Sequence, residues 1–290
     1  MPPQFLVVGH VVQDLISPDS ATAWRLGGTA SYAALLARNL GLRAAVLTAA
    51  APDLPLARLL PGIECHCLPS PHTTQISNVY DGGRRQRIPQ RASSIGPEDL
   101  PRQWRSTPIV LLGPVVGEVD AALAAGFPRS LIGVGAQGWL REIAPDGGVR
   151  PVPPRNWQAA PILRASRALF VSDEDLPPDG AVAALKEWSA LIEIVAFTHG
   201  DRGADVCLNG QWRRMEAFPA LTVDPTGAGD VFAAAFLIRL HETEDVWESA
   251  RFAACAASFV VEGEGTTAIP DRAHIEARLA AHPEVTPRPT

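Results

Sequence analysis

The run Asp224-Pro225-Thr226-Gly227-Ala228-Gly229-Asp230 has residue types and spacing suited to anion chemistry, directly ahead of the apolar stretch 231–238. Proline after Asp224 disfavours helix at that aspartate, and the glycines on either side of Ala228 permit a tight turn that a ligand can approach closely. A helix can begin there. Its first amides lack internal partners and carry partial positive charge, so Gly227, Ala228 and Gly229 would present N–H groups to an anion such as a phosphoryl group. Asp230, beside that hole, has the chemistry to take a proton from an attacking hydroxyl, which phosphoryl transfer needs besides positioning and charge stabilisation. Taken alone, the same residues also describe a loop with an N-capping aspartate.

Positioning such a loop requires a scaffold, and the chain supplies an alternating one. Short apolar, β-rich runs occur at 5–8, 44–47, 109–112, 131–134, 168–171 and 194–197, with helix-like spans between them. Runs apolar on both faces, separated by helices, predict an α/β fold with a mostly parallel sheet covered on two sides. The spacing predicts helices over 29–40, ending at Gly41, and over 180–191, with Ala181, Ala184, Leu185 and Trp188 on one face. Open sheets of this kind bind ligands at the carboxyl edge, and Asp14 falls shortly after the first strand. It could accept the hydroxyls of a polyol, or be an exposed loop aspartate or a cap.

The stretch 73–89 breaks the pattern, with Asp81-Gly82-Gly83 as the turn of a β-hairpin. Its Arg84, Arg85 and Arg87, and Arg91 beyond it, read as a solvated turn. Proline-rich loops are expected at 145–161 and 177–178, and a frayed tail from His282 to Thr290.

Composition limits the remaining classes. With 290 residues and 47% hydrophobic content the chain can fill one large core. A net charge of −6 argues against a general nucleic-acid binder, leaving small molecules as partners. Four scattered cysteines point to a reducing compartment, hence the cytoplasm. No signal peptide is read at residues 5–8, and no apolar run reaches the ~20 residues that span a bilayer. Cys65-His66-Cys67 lacks the second ligand pair a structural zinc site needs, so it reads as strand. Neither a P-loop nor a Gly-x-Gly-x-x-Gly after the first strand is present, which disfavours P-loop enzymes and dinucleotide oxidoreductases.

The 224–230 string closely resembles the C-terminal signature of the ribokinase-like (PfkB) carbohydrate kinases. Gly27-Gly28 resembles the family's N-terminal Gly-Gly signature, although Tyr32 stands where ribose and fructose kinases commonly have Asn. Thr198, Gly200 and Gly203 match a T-x-G-x-x-G segment that borders the nucleotide, which a strand-to-strand turn would also use. Residues 253–266 resemble the adenine-side helix and following loop, with Ala257 and Gly265 as nucleotide neighbours. Gln137 and Arg141, with Thr73-Thr74 and the run 95–101, resemble the plant-type myo-inositol 3-kinase branch.

The resemblance implies a single ribokinase-like α/β/α domain over 1–290 with a small β lid, mainly 73–91. It implies ATP as donor, Asp230 as base and Gly227, Ala228 and Gly229 as the anion hole. Asp14, Gly27, Gly28, Gln137 and Arg141 would serve the acceptor. Magnesium is implied near the phosphates, where Ser172-Asp173-Glu174-Asp175 replaces the family's Asn-x-x-Glu and keeps a carboxylate in Asp175. A monovalent cation such as K+ is implied beside Asp224 and Thr226. The acceptor would be a polyol, cyclitol or sugar, myo-inositol first, with a nucleoside, 2-keto-3-deoxygluconate or a catalytically silent ligand-binding protein as alternatives. Monomer and homodimer both remain open.

Overall fold

The computed structural model describes residues 2–17, 20–80, 84–176 and 178–289. In chain order the first part comprises β1 (Phe5–Val8), β2 (Val12–Ser17), β3 (Ser20–Gly27), α1 (Thr29–Asn39), β4 (Ala44–Ala50), α2 (Leu56–Leu59), β5 (Glu64–Pro69), β6 (Thr74–Tyr80), β7 (Arg84–Gln90), β8 (Ile109–Leu112) and β9 (Leu131–Gly135). The second part comprises β10 (Arg141–Ile143), β11 (Val149–Pro151), α3 (Ala160–Arg164), β12 (Ala168–Ser172), α4 (Pro178–Trp188), β13 (Ile194–Thr198), β14 (Ala204–Leu208), β15 (Gln211–Met215), α5 (Ala228–Thr243), α6 (Val246–Val260), α7 (Arg272–Ala281) and β16 (Arg288–Pro289).

Ten strands form one sheet in the order β16-β15-β14-β13-β12-β9-β8-β1-β4-β5. From β13 to β5 all pairings are parallel, and β14, β15 and β16 add an antiparallel edge. The inner parallel strands are buried on both faces because helices cover both, whereas the edge strand β5 is exposed or half-exposed. Phe5, Val7 and Val46 face a core shared with α1, α5 and α6, whereas Leu6, Val8 and Leu47 face one shared with Trp104, Trp188 and Phe127.

A second sheet, β3-β2-β6-β7, stands apart from the first. The expected hairpin is present as β6 and β7, paired antiparallel from Gln75↔Gln90 to Tyr80↔Arg84; its turn, residues 81–83, lies outside the described residues. The small sheet is broader than residues 73–91 suggest. β2 pairs parallel with β6 and carries β3 antiparallel on its other side, so the segment after β1 leaves the large sheet altogether. Asp14 accordingly lies within β2, not in a loop at the edge of the large sheet.

Two other expectations give way to pairing. The proline-rich stretch 145–161 includes β11, which pairs antiparallel with β10 and then leads into α3. Its partner on the small sheet is β7: Ile88 N–H donates to Gly147 O at 2.8 Å, and Arg87 Nη2 to Asp146 O at 2.6 Å. The tail is docked, because Arg288 and Pro289 pair with Arg214 and Arg213 and Val285 is buried. Arg251 donates to Val285 O and His282 O at 2.6 and 2.9 Å, supplying donors the tail could not find within itself.

Candidate active site

The parallel strands end on one side, and α5 begins there. Gly227 caps that helix with φ 82°, a left-handed conformation that glycine tolerates, and a Cβ on it would come 2.3 Å from the Tyr32 ring. Of the three expected anion-hole amides, Ala228 N–H turns inward to Pro225 O at 3.3 Å and closes the loop, which corrects its place in the hole. Among the described residues the amides of Gly227, Gly229 and Asp230 have no protein acceptor. Gly229 is exposed, and a Cβ there would meet nothing within 4 Å. The open amides are therefore those of a helix start facing solvent, where partial positive charge collects.

Asp230 lies in the first turn of α5, and Thr29 Oγ1 donates to its Oδ1 at 2.6 Å. Burial pushes the carboxyl up to about 6, against the Thr29 hydroxyl and the Arg141 charge, while Asp175 adds to the rise. Near neutral pH such a group is ionised yet holds a proton more readily than an ordinary aspartate, which suits a general base. Sequence reasoning missed Thr29. Its signal was its place right after Gly27-Gly28, at the first turn of α1, and it comes close because a Cβ on Gly113 would stand 2.3 Å from its methyl carbon.

Asp14 and Gly27 meet across β2 and β3: the Asp14 Oδ2 lies 2.0 Å from where a Gly27 Cβ would be, so only glycine leaves that carboxylate its place. Gly28, with φ 84°, caps α1 beneath the His10 carbonyl. Asp224 closes the opposite side, its Oδ1 accepting Thr226 N–H at 3.0 Å and its Oδ2 accepting Gly265 N–H at 3.2 Å. Burial works to raise that carboxyl, but the Thr226 and Gly265 hydrogen bonds and nearby Arg25 outweigh it and hold it below the usual aspartate range.

Arg141 is brought near but is already engaged. Its Nη2 donates to Asp175 Oδ1 at 2.7 Å, with both side chains largely buried. That pair lines a cleft of about 900 Å³ bounded by Gln86, Arg87 and Arg150, and its charges reach Asp230, though Asp230 itself does not line the cleft. Gln137 sits partly buried in the turn of 3-10 helix after β9, outside that lining.

Thr198 ends β13, and Gly200 and Gly203 turn the chain into β14. A Cβ on Gly203 would lie 2.1 Å from Met215 O, so the strand-turn role accounts for it, whereas Gly200 faces open space at φ 59°. Ala257 is half-buried on α6 and Gly265 buried in the loop beyond it.

Among the described residues no group of three or more His, Cys, Asp or Glu side chains could hold a metal ion. Asp175, the carboxylate left for magnesium, is paired with Arg141, so among the described residues no cluster of carboxylates stands ready for a divalent ion. No described helix is long and apolar enough to cross a membrane.

A buried clamp, also missed, fixes the junction of the two sheets. Glu118 accepts N–H bonds from His10, Val115 and Val116 at 3.2, 2.7 and 2.7 Å. The His10 ring sits between Ser93 O at 2.9 Å and Thr74 Oγ1 at 2.7 Å. Ser93 O can only accept, so Nε2 bears the proton, and burial keeps the ring neutral, lowering its pKa against the pull of Glu118. Only Glu118, a lone charge in the apolar run 115–119, left a trace in the sequence.

Residues 165–272, which hold Asp230 and the open amides, match the model of the pfkB family carbohydrate kinases. The chain is 38% identical over 89 residues to a nucleoside kinase of Methanothermobacter thermautotrophicus, covering 30% of this chain and 28% of that relative. It is 27% identical over 256 residues to an inositol 3-kinase of Oryza sativa subsp. japonica, covering 80% and 61%. The chain thus spans less than two thirds of either relative's length. A pyrophosphate-dependent kinase in the ribokinase family, solved as a sulfate complex, superposes with a TM-score of 0.80 at 22% identity, over 94% of this chain and 99% of that one. The fold is therefore ribokinase-like, and the part of the chain that holds the candidate site is similar to the pfkB family carbohydrate kinases.

Proposed function

We propose that this protein transfers the γ-phosphoryl group of ATP to a hydroxyl of a small polyol, cyclitol or sugar, with myo-inositol as the first acceptor to test. One observation carries the reading: a carboxyl raised to about 6 stands in the first turn of a helix whose leading amides are open. Asp230 takes the proton of the attacking hydroxyl as its oxygen bonds to the γ-phosphorus. The bond to the bridging oxygen breaks and ADP leaves. The Gly227 and Gly229 amides hold charge on the transferred group. Asp14 and the Gly27 and Gly28 backbone face the acceptor, Arg141 and Gln137 border it, and Gly200, Ala257 and Gly265 border the donor.

Magnesium would arrive on the donor's phosphates, neutralising their charge; no protein step depends on it here. A monovalent ion beside Asp224 and Thr226 belongs to the reading insofar as replacing K+ with tetramethylammonium lowers turnover. The likeness to an inositol 3-kinase supports the acceptor choice, and the likeness to a nucleoside kinase supports the runner-up, a nucleoside.

The test is product formation with myo-inositol, ribose, cytidine and 2-keto-3-deoxygluconate, each with ATP and with pyrophosphate. Asp230→Asn should lower kcat by about 10² to 10⁴ with an unchanged melting temperature. Ligand binding without product across the whole set would instead favour a silent binding protein, and full activity in the variant would falsify the base assignment.

A further inference from the structure

The hydroxyl of Tyr32, on the helix that Gly28 caps, is buried without a hydrogen-bond partner. Its neighbours on α1 are satisfied: Ser31 Oγ donates to Gly27 O at 2.7 Å and Thr29 to Asp230. The Tyr32 ring lies against Gly227, and its Oη stands 4.0 Å from where a Gly265 Cβ would be. The Arg25 stem lies 3.9 Å from that same point, tied by Nη2 to Glu264 at 2.9 Å. Asp14, Asp230 and Asp224 all act on the phenol, and burial with those three charges keeps it protonated. The Tyr32 hydroxyl is therefore a neutral O–H donor near three carboxylates that makes no hydrogen bond to any of them.

A buried hydroxyl with no partner is costly and uncommon. Packing against Gly227 needs the ring only, since phenylalanine would fill the same space. The hydroxyl is the part without a structural role in the free protein.

We propose that Tyr32 is an acceptor-binding residue: its hydroxyl donates to the oxygen of one non-reacting substrate hydroxyl, whose own proton goes to Asp14. Asp14 stands against Gly27 at the entry to α1, the helix that carries Tyr32, which makes it the partner in that pair. A hydroxyl read both as donor and as acceptor distinguishes an acceptor from its deoxy analogue, because removing it leaves two buried groups unpaired. Tyr32 is fully buried, so its surroundings have to open for the acceptor to reach it, and the half-exposed Arg25–Glu264 ion pair beside Gly265 opposes that only weakly.

The inference rests on the kinase reading for the identity of the site, so its test uses binding without a donor. Calorimetry on the native protein and Tyr32→Phe is done with myo-inositol, ribose and cytidine, then with the monodeoxy analogues of whichever binds. The variant should bind about three- to tenfold more weakly. Its free melting temperature should stay within about 1 °C or rise. The one deoxy analogue that the native protein rejects should lose its penalty in the variant. Equal affinity and an identical deoxy profile would overturn the assignment, as would a variant destabilised when free, or a native protein that binds none of the three. Tight binding without turnover would count against the kinase reading alone and leave the Tyr32 comparison decisive.

Discussion

The start of α5 and the small sheet handle their polar groups in opposite ways. At α5, seven consecutive residues leave two glycine amides open, raise one carboxyl and tie another to the backbone of a distant loop. In the small sheet the backbone is paired through the ladders β3-β2-β6-β7, the Gln75–Gln13 side-chain bond at 2.9 Å and the Arg87 contact with Asp146 O, with the buried Ser77 hydroxyl as an exception. Open backbone donors collect where chemistry is to be done, and paired backbone where a surface has to hold its shape. The α5 corner can then keep one reaction while the small sheet is altered to suit different acceptors.

The most damaging test of that contrast is Gly227→Ala. A Cβ there meets the Tyr32 ring at 2.3 Å and φ is 82°, so the helix start has to shift. A loss of about 2–4 kcal/mol in denaturant unfolding is expected, with activity falling more than about 10²-fold. A variant with native stability and turnover would mean the corner is not rigid, and the contrast would fail.

Asp14→Asn comes next and acts on the other region. It keeps the shape of the contact with Gly27 but removes the charge that accepts hydroxyls, so the acceptor KM should rise about 10- to 100-fold with kcat within about threefold. A fall in kcat at constant KM would move Asp14 from recognition into the chemical step.

The two regions also differed in how much the sequence disclosed. The open-amide corner was legible because all its parts lie within 224–230, and the parallel strands were legible because burial on both faces demands unbroken apolar runs. β5 was harder: Glu64–Pro69 is an edge strand with an exposed or half-exposed pattern, so Cys65-His66-Cys67 carries no core signal. The small sheet joins residues 12–27 to residues 74–90, and no local pattern announces a pairing across that distance; the sequence therefore places Asp14 only shortly after the first strand, not on a strand of its own. The hairpin within the proline-rich stretch and the docked tail depend likewise on partners supplied elsewhere, Gly147 by β7 and Val285 by Arg251. Ala228 was read as part of the hole because sequence marks a helix start but not which amide the turn itself consumes.

Thr29→Val sharpens the electrostatic side of the corner. The Thr29 hydrogen bond lowers the Asp230 pKa, so removing it lifts the pKa further above about 6. The base works as carboxylate, so kcat/KM rises with pH through that value and levels off above it. In the variant the acidic limb should move to higher pH by about half a unit to one unit, with the plateau within about fivefold of native. An unmoved limb would mean that another group governs it.

The smallest effect is expected at Arg25→Ala, which cuts the ion pair between β3 and Glu264. Those side chains are 42% and 61% exposed, so water and salt already screen the attraction, and holding two long side chains in place offsets much of what remains. The melting temperature should fall by about 1 °C or less, and the difference from native should shrink further in 1 M salt. A drop beyond about 3 °C, unaffected by salt, would show that the Arg25 stem contributes through packing. The small sheet would then be clamped to the α5 corner as firmly as the large sheet is, and the division between a fixed reaction centre and an adaptable recognition surface would have to be abandoned.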